Sequence, residues 1–313
     1  MEKKEYQFET LCVAGDAGYA PHDDTGAISL PIYQSACYGR RQLGQSSGFD
    51  YSRVSNPTRE HLERTVAALD HARYGFAFAT GMAAITAFFD MVPQGRHIIV
   101  SEDMYGGTIR LFDNIGTKLG LKFSYIDTSN VQKVADAFRP ETKYVFIETP
   151  GNPTLAISDI KAIADLAHEH GALLSVDNTF ASPFNQRPTE LGADFTVESL
   201  TKYINGHGDA MGGAIIGRKE HLDIIRAQSQ VNLGGVISPF NAWLIMRGSV
   251  TLPLRMQRHN ENALAVAKWL EQQPGVSFVA YPGLESFWGY ETAKKQMTGG
   301  FGGVLSFGIK ADH

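Results

Sequence analysis

One lysine lies in a short stretch of small and polar residues and is the first candidate for chemistry. Lys202 belongs to SLTKYINGHGD, residues 199–209, with Ser199 and Thr201 close by. A lysine whose pKa is lowered in a confined site can bond covalently to an aldehyde. The neighbouring hydroxyl groups can hold a phosphate on the same small molecule. Taken alone, however, a lysine in a glycine-rich loop is more often a solvated surface cation.

An aspartate precedes this lysine by 25 residues and ends an apolar run. Asp177 closes the segment ALLSVD, which is typical of a buried strand. A buried carboxylate needs a partner or a proton, because an unpaired buried charge is costly. One explanation is that Asp177 caps the next turn. The other is that it pairs with a protonated ring nitrogen, as in pyridoxal enzymes.

The segment FATGMAAI supplies a third candidate feature, at the start of an apolar helix. The backbone N–H groups of Gly81 and Met82 would form an anion site at that helix N-terminus. Close helix packing explains the same small residues equally well. Taken together, an aldehyde-binding lysine, an acid for a ring nitrogen and a phosphate site predict one cofactor, pyridoxal 5′-phosphate.

Composition and missing motifs argue against several other classes of protein. The 313 residues include 43% hydrophobic and 19% charged residues with a net charge of −5, which is typical of a globular protein rather than a nucleic-acid binder. There are two cysteines, no complete G-x-G-x-x-G, no P-loop and no H-E-x-x-H. We therefore expect no metal site, no nucleic-acid partner and no membrane partner. With no secretory signal predicted, we expect a cytoplasmic location.

Alternating apolar segments predict the elements that must position these residues. RHIIVSED, KYVFIETPGNP and ALLSVDNTF are typical of strands, whereas REHLERTVAAL and SDIKAIADLAHEHG have helical spacing. Ser158 is the predicted N-cap of the latter helix and Gly171 its predicted end. This pattern predicts an α/β fold with a mostly parallel sheet and helices on both faces. Ligands in such folds bind at the carboxyl ends of the strands.

The pattern also predicts three regions along the chain. Residues 1–55 form an irregular arm, residues 56–240 the cofactor-binding α/β domain, and residues 241–313 a smaller α+β part. In this last region FNAWLIMRG and HNENALAVAKWLEQQ are predicted helices, and GGVLSFGIK is a predicted strand.

Several motifs together resemble one known family. SLTKYINGHGD, VDNTF, ETPGNP, YSRVSNPT and SPFNAWLIMRG resemble the Cys/Met-metabolism family of pyridoxal-phosphate enzymes, which have the fold-type I architecture. The resemblance runs from FETLCVAGD to GGFGGVLSFGIK. It implies that Lys202 bonds to the cofactor and shuttles protons, and that Asp177 pairs with the ring nitrogen. It also implies that Ser199, Thr201, Gly81 and Met82 hold the phosphate.

The resemblance implies further site residues and an assembly. Tyr105 would stack on the ring and serve as an acid, and Asn152 would lie near the ring oxygen and the substrate carboxylate. Tyr51 and Arg53 would reach the phosphate of a neighbouring subunit, although they could simply pack at an interface. The family pattern implies an obligate dimer, arranged as a dimer of dimers, with a small amino acid as substrate.

Two reactions remain open from the sequence. The motif TKYINGHGD, with Tyr203, favours a C–S lyase that eliminates the γ-substituent of cystathionine- or methionine-type substrates. The alternative is γ-replacement on an O-acylhomoserine. Gly107 stands where methionine γ-lyases usually carry cysteine, which argues against methionine itself.

A third possibility comes from the end of the sequence at His313. Members of this family carry, beyond this point, an arginine that binds the substrate carboxylate. On this expectation the smaller part is truncated, and the chain is a non-catalytic cofactor-binding homologue.

Overall fold

The computed structural model describes residues 6–15, 27–40, 42–217 and 219–310. Parts of the predicted arm, namely residues 1–5, 16–26 and 41, therefore lie outside the described residues, as do the last three residues of the chain. Within the described part, no helix is long and apolar enough to cross a membrane.

Helices and strands alternate along the described chain between residues 57 and 198. The strands are β1 (Tyr74–Phe78), β2 (His97–Ser101), β3 (Lys122–Ile126), β4 (Thr142–Glu148), β5 (Leu173–Asp177), β6 (Phe195–Glu198), β7 (Gly213–Gly217), β8 (Val276–Ala280) and β9 (Ser306–Ile309). The α-helices are α1 (Phe8–Ala14), α2 (Pro57–Leu69), α3 (Gly81–Thr86), α4 (Gly106–Leu111), α5 (Val131–Asp136), α6 (Ile160–Glu169), α7 (Ser182–Asn185), α8 (Lys219–Ile225), α9 (Pro239–Ser249), α10 (Leu252–Glu271) and α11 (Tyr290–Gln296). Short 3-10 segments span Ala87–Met91, Thr117–Leu119 and Pro188–Leu191, and π-helical segments span Phe112–Gly116 and Arg226–Asn232.

Seven of these strands belong to one sheet, in the order β1-β7-β6-β5-β4-β2-β3. The pairs β2–β3, β2–β4 and β4–β5 are parallel, and β1 pairs antiparallel with β7. Strands β8 and β9 form a separate antiparallel pair. The predicted α/β class with a mostly parallel sheet is confirmed, as is a smaller α+β part near the C-terminus.

The chain divides into two compact units. The first contains Met1–Met91 and Val197–Pro253, and the second contains Val92–Thr196 and Leu254–His313. In the first unit, α2 packs against β1 and α9. Its buried side chains Leu62, Val66 and Leu69 lie on the face that the spacing of REHLERTVAAL predicts.

The second unit has a core between its parallel strands and α6. Ile147 and Val176 from the strands pack with Ile160 and Ile163 from the helix, and all four are fully buried. A second core surrounds Tyr281, which is also fully buried and donates a hydrogen bond to the carbonyl of Gly302 at 3.0 Å. The first of these cores holds β2, β4 and β5 against α6.

The start of α6 differs from the prediction by one residue. Asp159, not Ser158, is the N-cap, and its Oδ1 accepts from the N–H of Ala162 at 3.0 Å. The hydroxyl of Ser158 is buried instead, 2.7 Å from that of Thr128. A carboxylate at this position also interacts favourably with the helix dipole. The other end agrees with the prediction, since Gly171 follows the helix with a φ of +64°.

Candidate active site

The predicted site residues fall into two sets, one in each compact unit. The first unit contains Tyr51, Arg53, Gly81, Met82, Ser199, Thr201 and Lys202, and the second contains Tyr105, Asn152 and Asp177. Each set is described by itself.

In the first unit, the structure brings Gly81 and Ser199 together. Strand β1 leads into Thr80, whose hydroxyl accepts from the N–H of Ala83 at 3.0 Å and caps α3. A Cβ atom placed on Gly81 would lie 3.2 Å from the Cβ of Ser199 and 3.3 Å from its hydroxyl oxygen. Glycine therefore permits the close approach. The hydroxyl of Ser199 lies beside the helix start to which Gly81 and Met82 contribute their N–H groups, an arrangement suited to an anion.

The turn that contains Lys202, residues 199–206, directly follows β6. The N–H of Lys202 donates to the carbonyl of Ser199 at 3.1 Å, and the N–H of Gly206 donates to the carbonyl of Lys202 at 2.7 Å. The side chain of Lys202 is exposed in the single chain. The hydroxyl of Thr201 accepts from the N–H of Gly212 at 3.1 Å and donates to its carbonyl at 3.2 Å. To donate to a phosphate, the hydroxyl of Thr201 would have to break its hydrogen bond to the carbonyl of Gly212.

Tyr51 and Arg53 lie side by side at the surface of the first unit. The guanidinium carbon of Arg53 is 5.3 Å from the centroid of the Tyr51 ring. Arg53 also donates from Nη1 to the carbonyl of Val231. Both side chains are exposed, so a cation and a phenol are presented together.

In the second unit, two carboxyl groups lie next to each other at the ends of parallel strands. Glu148 and Asp177 are direct partners in the register of β4 and β5, and each is 7% exposed. Asp177 accepts from the N–H of Thr179 at 3.1 Å. Burial raises the pKa of Asp177, although the hydrogen bonds from Thr179 oppose this effect. Burial and the neighbouring charge of Asp177 hold the pKa of Glu148 well above its usual range.

Tyr105 is tied to this carboxyl pair through its backbone. Its N–H donates to Oε2 of Glu148 at 2.8 Å, immediately before α4. The ring of Tyr105 is 48% exposed, which leaves it accessible to a ligand. A Cβ atom on Gly107 would collide with this ring. Asn152 is half-buried in the loop that follows β4.

Glu148, the first residue of ETPGNP, is expected from the sequence at the carboxyl end of a strand, where ligands bind, but the sequence assigns it no role in the site. It ends an apolar strand as Asp177 does, and that shared pattern was the available signal. The sequence does not reveal the strand order, and it is this order that makes the carboxyl groups of Glu148 and Asp177 neighbours. Glu148 also lines a cavity of about 710 Å³ with Glu102, Asp103 and Asp127 at the carboxyl ends of β2, β3 and β4.

These residues fit pyridoxal 5′-phosphate on two structural grounds. A cation beside Asp177 would favour its charged form, which burial otherwise disfavours. The space that a Cβ on Gly81 would fill lies against a hydroxyl group and a helix N-terminus, both suited to a phosphate.

Comparisons with known proteins place the chain in a family. The family described as Cys/Met metabolism PLP-dependent enzyme matches residues 9–313. A probable cystathionine gamma-synthase of Herpetosiphon aurantiacus is 44% identical over 306 residues, covering 98% of this chain and 95% of the relative. A cystathionine beta-lyase of Lactococcus lactis subsp. cremoris is 45% identical over 290 residues, covering 93% of this chain and 76% of the relative.

A solved structure gives the same result. The crystal structure of cystathionine gamma-lyase from Lactobacillus plantarum complexed with L-serine is 41% identical, with a TM-score of 0.93. The match covers 97% of this chain and 79% of that one. The predicted fold-type I architecture is confirmed. This chain therefore belongs to the Cys/Met-metabolism family of PLP-dependent enzymes, and pyridoxal 5′-phosphate is its cofactor.

Proposed function

We propose that this chain is a C–S lyase that eliminates the γ-substituent of cystathionine- or methionine-type amino acids. The observation that best supports a pyridoxal-phosphate mechanism is the burial of Asp177, at the end of β5, beside the carboxyl group of Glu148. The preference for elimination comes from TKYINGHGD and its Tyr203. Gly107, in place of the usual cysteine, supports cystathionine over methionine.

In this proposal the chain's residues bind and orient the cofactor. Asp177 pairs with the ring nitrogen and keeps it protonated. Ser199 and Thr201 hold the phosphate together with the N–H groups of Gly81 and Met82. Tyr51 and Arg53 reach the phosphate of a neighbouring subunit.

The remaining residues act on the substrate. Bound pyridoxal phosphate supplies an electron sink that makes the substrate's α-proton acidic. The amine of Lys202 takes up that proton at Nζ and moves protons between Cα and Cβ of the substrate. Asn152 orients the substrate carboxylate. Tyr105 stacks on the ring and gives a proton to the departing sulfur.

The alternative is γ-replacement on an O-acylhomoserine, in which a thiol takes the position of the leaving carboxylate. The similarity of a named gamma-synthase, at 44% identity, supports this alternative about as well as the named gamma-lyase, at 41% identity, supports γ-elimination. Overall identity therefore does not separate the reactions, and the products must do so.

A product assay on the purified chain tests the proposal. Elimination at the γ-carbon of cystathionine consumes water and gives cysteine, 2-oxobutanoate and ammonia. Elimination at the β-carbon would instead give homocysteine, pyruvate and ammonia. Replacement would give cystathionine and a free carboxylic acid from O-acylhomoserine and cysteine. Pyruvate alone, or cystathionine formation that is much faster than its cleavage, would reject γ-elimination.

We also propose an oligomeric state, a cellular location and a division of the chain into regions. The chain acts as a homo-oligomer, a dimer of dimers with shared active sites, in the cytoplasm. Residues 1–55 form an arm that contacts the neighbouring subunit, residues 56–240 bind the cofactor, and residues 241–313 belong to the smaller domain.

A further inference from the structure

A buried arginine holds the turn that presents Tyr51 and Arg53. Arg59 lies in the first turn of α2 and is only 2% exposed. Its Nη1 donates to the carbonyl of Ser52 at 2.7 Å, and its Nη2 donates to the carbonyl of Val54 at 2.8 Å. A third, longer contact of 3.5 Å joins Nη1 to the carbonyl of Arg53 itself. One guanidinium group thus binds three consecutive carbonyls.

A second buried residue forms an ion pair with the guanidinium of Arg59. Oε1 of Glu63, one helical turn further along α2, is 3.4 Å from Nε of Arg59. The same oxygen accepts from the N–H of Ala77 in β1 at 3.1 Å and from Nε2 of Gln230 at 3.0 Å. Gln230 is 1% exposed and also donates to the carbonyl of Ala77 at 2.9 Å. The cluster of Arg59, Glu63 and Gln230 is therefore anchored to the sheet.

The cluster constrains Arg53 at both its backbone and its side chain. Arg59 holds the carbonyls of residues 52–54. The guanidinium of Arg53 donates to the carbonyl of Val231, which directly follows the anchored Gln230. A rigid backbone turn and a fixed contact for the head group leave Arg53 and the adjacent Tyr51 few alternative positions. Such preorganisation strengthens ligand binding because less freedom is lost on binding.

We propose that Arg59 is a positioning residue for the cofactor phosphate, acting through Tyr51 and Arg53, which it presents as one unit. This inference rests on the phosphate role given to those two residues under the proposed function. Arg59 itself is buried and does not touch the cofactor. A planar guanidinium is needed because its fork of donors reaches two carbonyls at once, whereas a lysine ammonium is a single point of charge.

The test compares two ligands that differ only in the phosphate. The full chain is freed of cofactor and titrated with pyridoxal 5′-phosphate and, separately, with pyridoxal, and binding is followed by absorbance. The variant Arg59→Lys keeps the charge beside Glu63 but loses the fork. We expect its dissociation constant for pyridoxal 5′-phosphate to rise about tenfold, with that for pyridoxal changed by less than about twofold.

Two further variants separate this inference from simpler explanations. Val66→Ala removes buried apolar volume from the same helix without touching the turn, so it should lower stability and leave the ratio of the two dissociation constants unchanged. Arg53→Ala tests the phosphate role directly and should show the same phosphate-selective loss. If Arg59→Lys is too unstable to titrate, Arg59→Gln replaces it, because its uncharged amide can still donate hydrogen bonds and Glu63 keeps its bonds to Ala77 and Gln230.

The outcomes distinguish the two proposals. If Arg53→Ala is phosphate-selective and Arg59→Lys weakens both ligands equally, or neither, the positioning role of Arg59 is overturned while the proposed function stands. If Arg53→Ala is not phosphate-selective, the phosphate role of Arg53 is wrong, and the inference about Arg59 is overturned with it. Selective loss in both variants supports the positioning role.

Discussion

At the scale of single residues, the chemistry of this chain depends on what holds each polar group. Asp177, the proposed partner of the ring nitrogen, is buried next to Glu148, and burial raises the pKa of both carboxyl groups. Lys202 is exposed, but its backbone is fixed in the turn after β6 by bonds to Ser199 and Gly206. The turn therefore sets the position of the Lys202 backbone, while the side chain stays accessible.

Replacing the lysine tests its proposed role. We expect Lys202→Ala to abolish the covalent bond to the cofactor, detected by borohydride reduction and mass spectrometry. Turnover should fall by about 10²- to 10⁴-fold, because the proton shuttle is lost. Lys161→Ala is the control, since Lys161 is an exposed lysine that pairs with Asp165 on α6. Retention of the covalent bond in the Lys202 variant would show that another amine forms it.

A glycine next to Tyr105 gives a second prediction at this scale. A methyl group at residue 107 would collide with the Tyr105 ring, which is half-exposed and can rotate away at little cost in stability. We expect Gly107→Ala to leave the melting temperature within a few degrees and to lower kcat about tenfold or more, because the proposed acid is displaced. Unchanged kcat would argue that Tyr105 takes no part in proton transfer. Gly106→Ala is the matched control, since a Cβ there meets only Arg110 at 3.5 Å.

At the scale of elements, the start of α2 joins the described part of the arm to the helix. The side-chain oxygen of Asn56 accepts from the N–H groups of Thr58 and Arg59, at 3.0 and 3.3 Å. Its Nδ2 donates to the carbonyl of Tyr33 at 2.9 Å and to the hydroxyl of Tyr38 at 3.0 Å. One buried amide therefore caps the helix and also binds the chain that precedes it.

Because Asn56 serves both as a cap and as a link to the arm, its replacement should lower the free energy of unfolding more than the loss of an ordinary cap. We expect Asn56→Ala to lower the free energy of unfolding by about 2 kcal/mol or more, because it removes the cap and leaves buried groups without partners. Asn130→Ala is the control, since Asn130 caps α5 in an exposed position. Its cost should be about 1 kcal/mol. Urea unfolding of both variants measures the difference, and equal losses would show that the bonds to the arm contribute nothing.

At the scale of the whole molecule, the proposed active site needs residues from two copies of the chain. Tyr51 and Arg53 are exposed on the first unit, where a neighbouring subunit could reach them. In a shared site, Arg53 from one subunit and Lys202 from another complete the same centre. Two inactive variants can then complement each other.

Mixing two variants tests this arrangement. Arg53→Ala and Lys202→Ala, each with little activity alone, are denatured together and refolded. If dimers form at random with shared sites, half of them are mixed and one of their two sites is intact, so we expect about a quarter of wild-type activity. Refolding each variant by itself is the control. No recovery in a mixture that has demonstrably formed mixed dimers would mean that Tyr51 and Arg53 act within their own chain, or not at all.

The cofactor, the α/β class and the positions of the main strands and helices can be predicted from the sequence. Local features suffice for these conclusions, because apolar periodicity predicts an element and a motif such as SLTKYINGHGD carries its own chemistry. Asp177 was likewise recognisable as the buried end of a strand. The sequence pattern predicts Ser158 as the N-cap of α6, whereas the structure shows Asp159. The choice between the two depends on the contact of Ser158 with Thr128, which the local sequence does not reveal.

Which distant residues come together depends on the folded arrangement of the chain and cannot be predicted from local patterns. The strand order makes Glu148 the neighbour of Asp177, and the packing of α2 places Arg59 under the turn of residues 52–54. Both effects join groups that no local pattern relates. A buried charge acquires its pKa and its hydrogen-bond partners from the groups packed around it, and these are fixed only when the chain has folded.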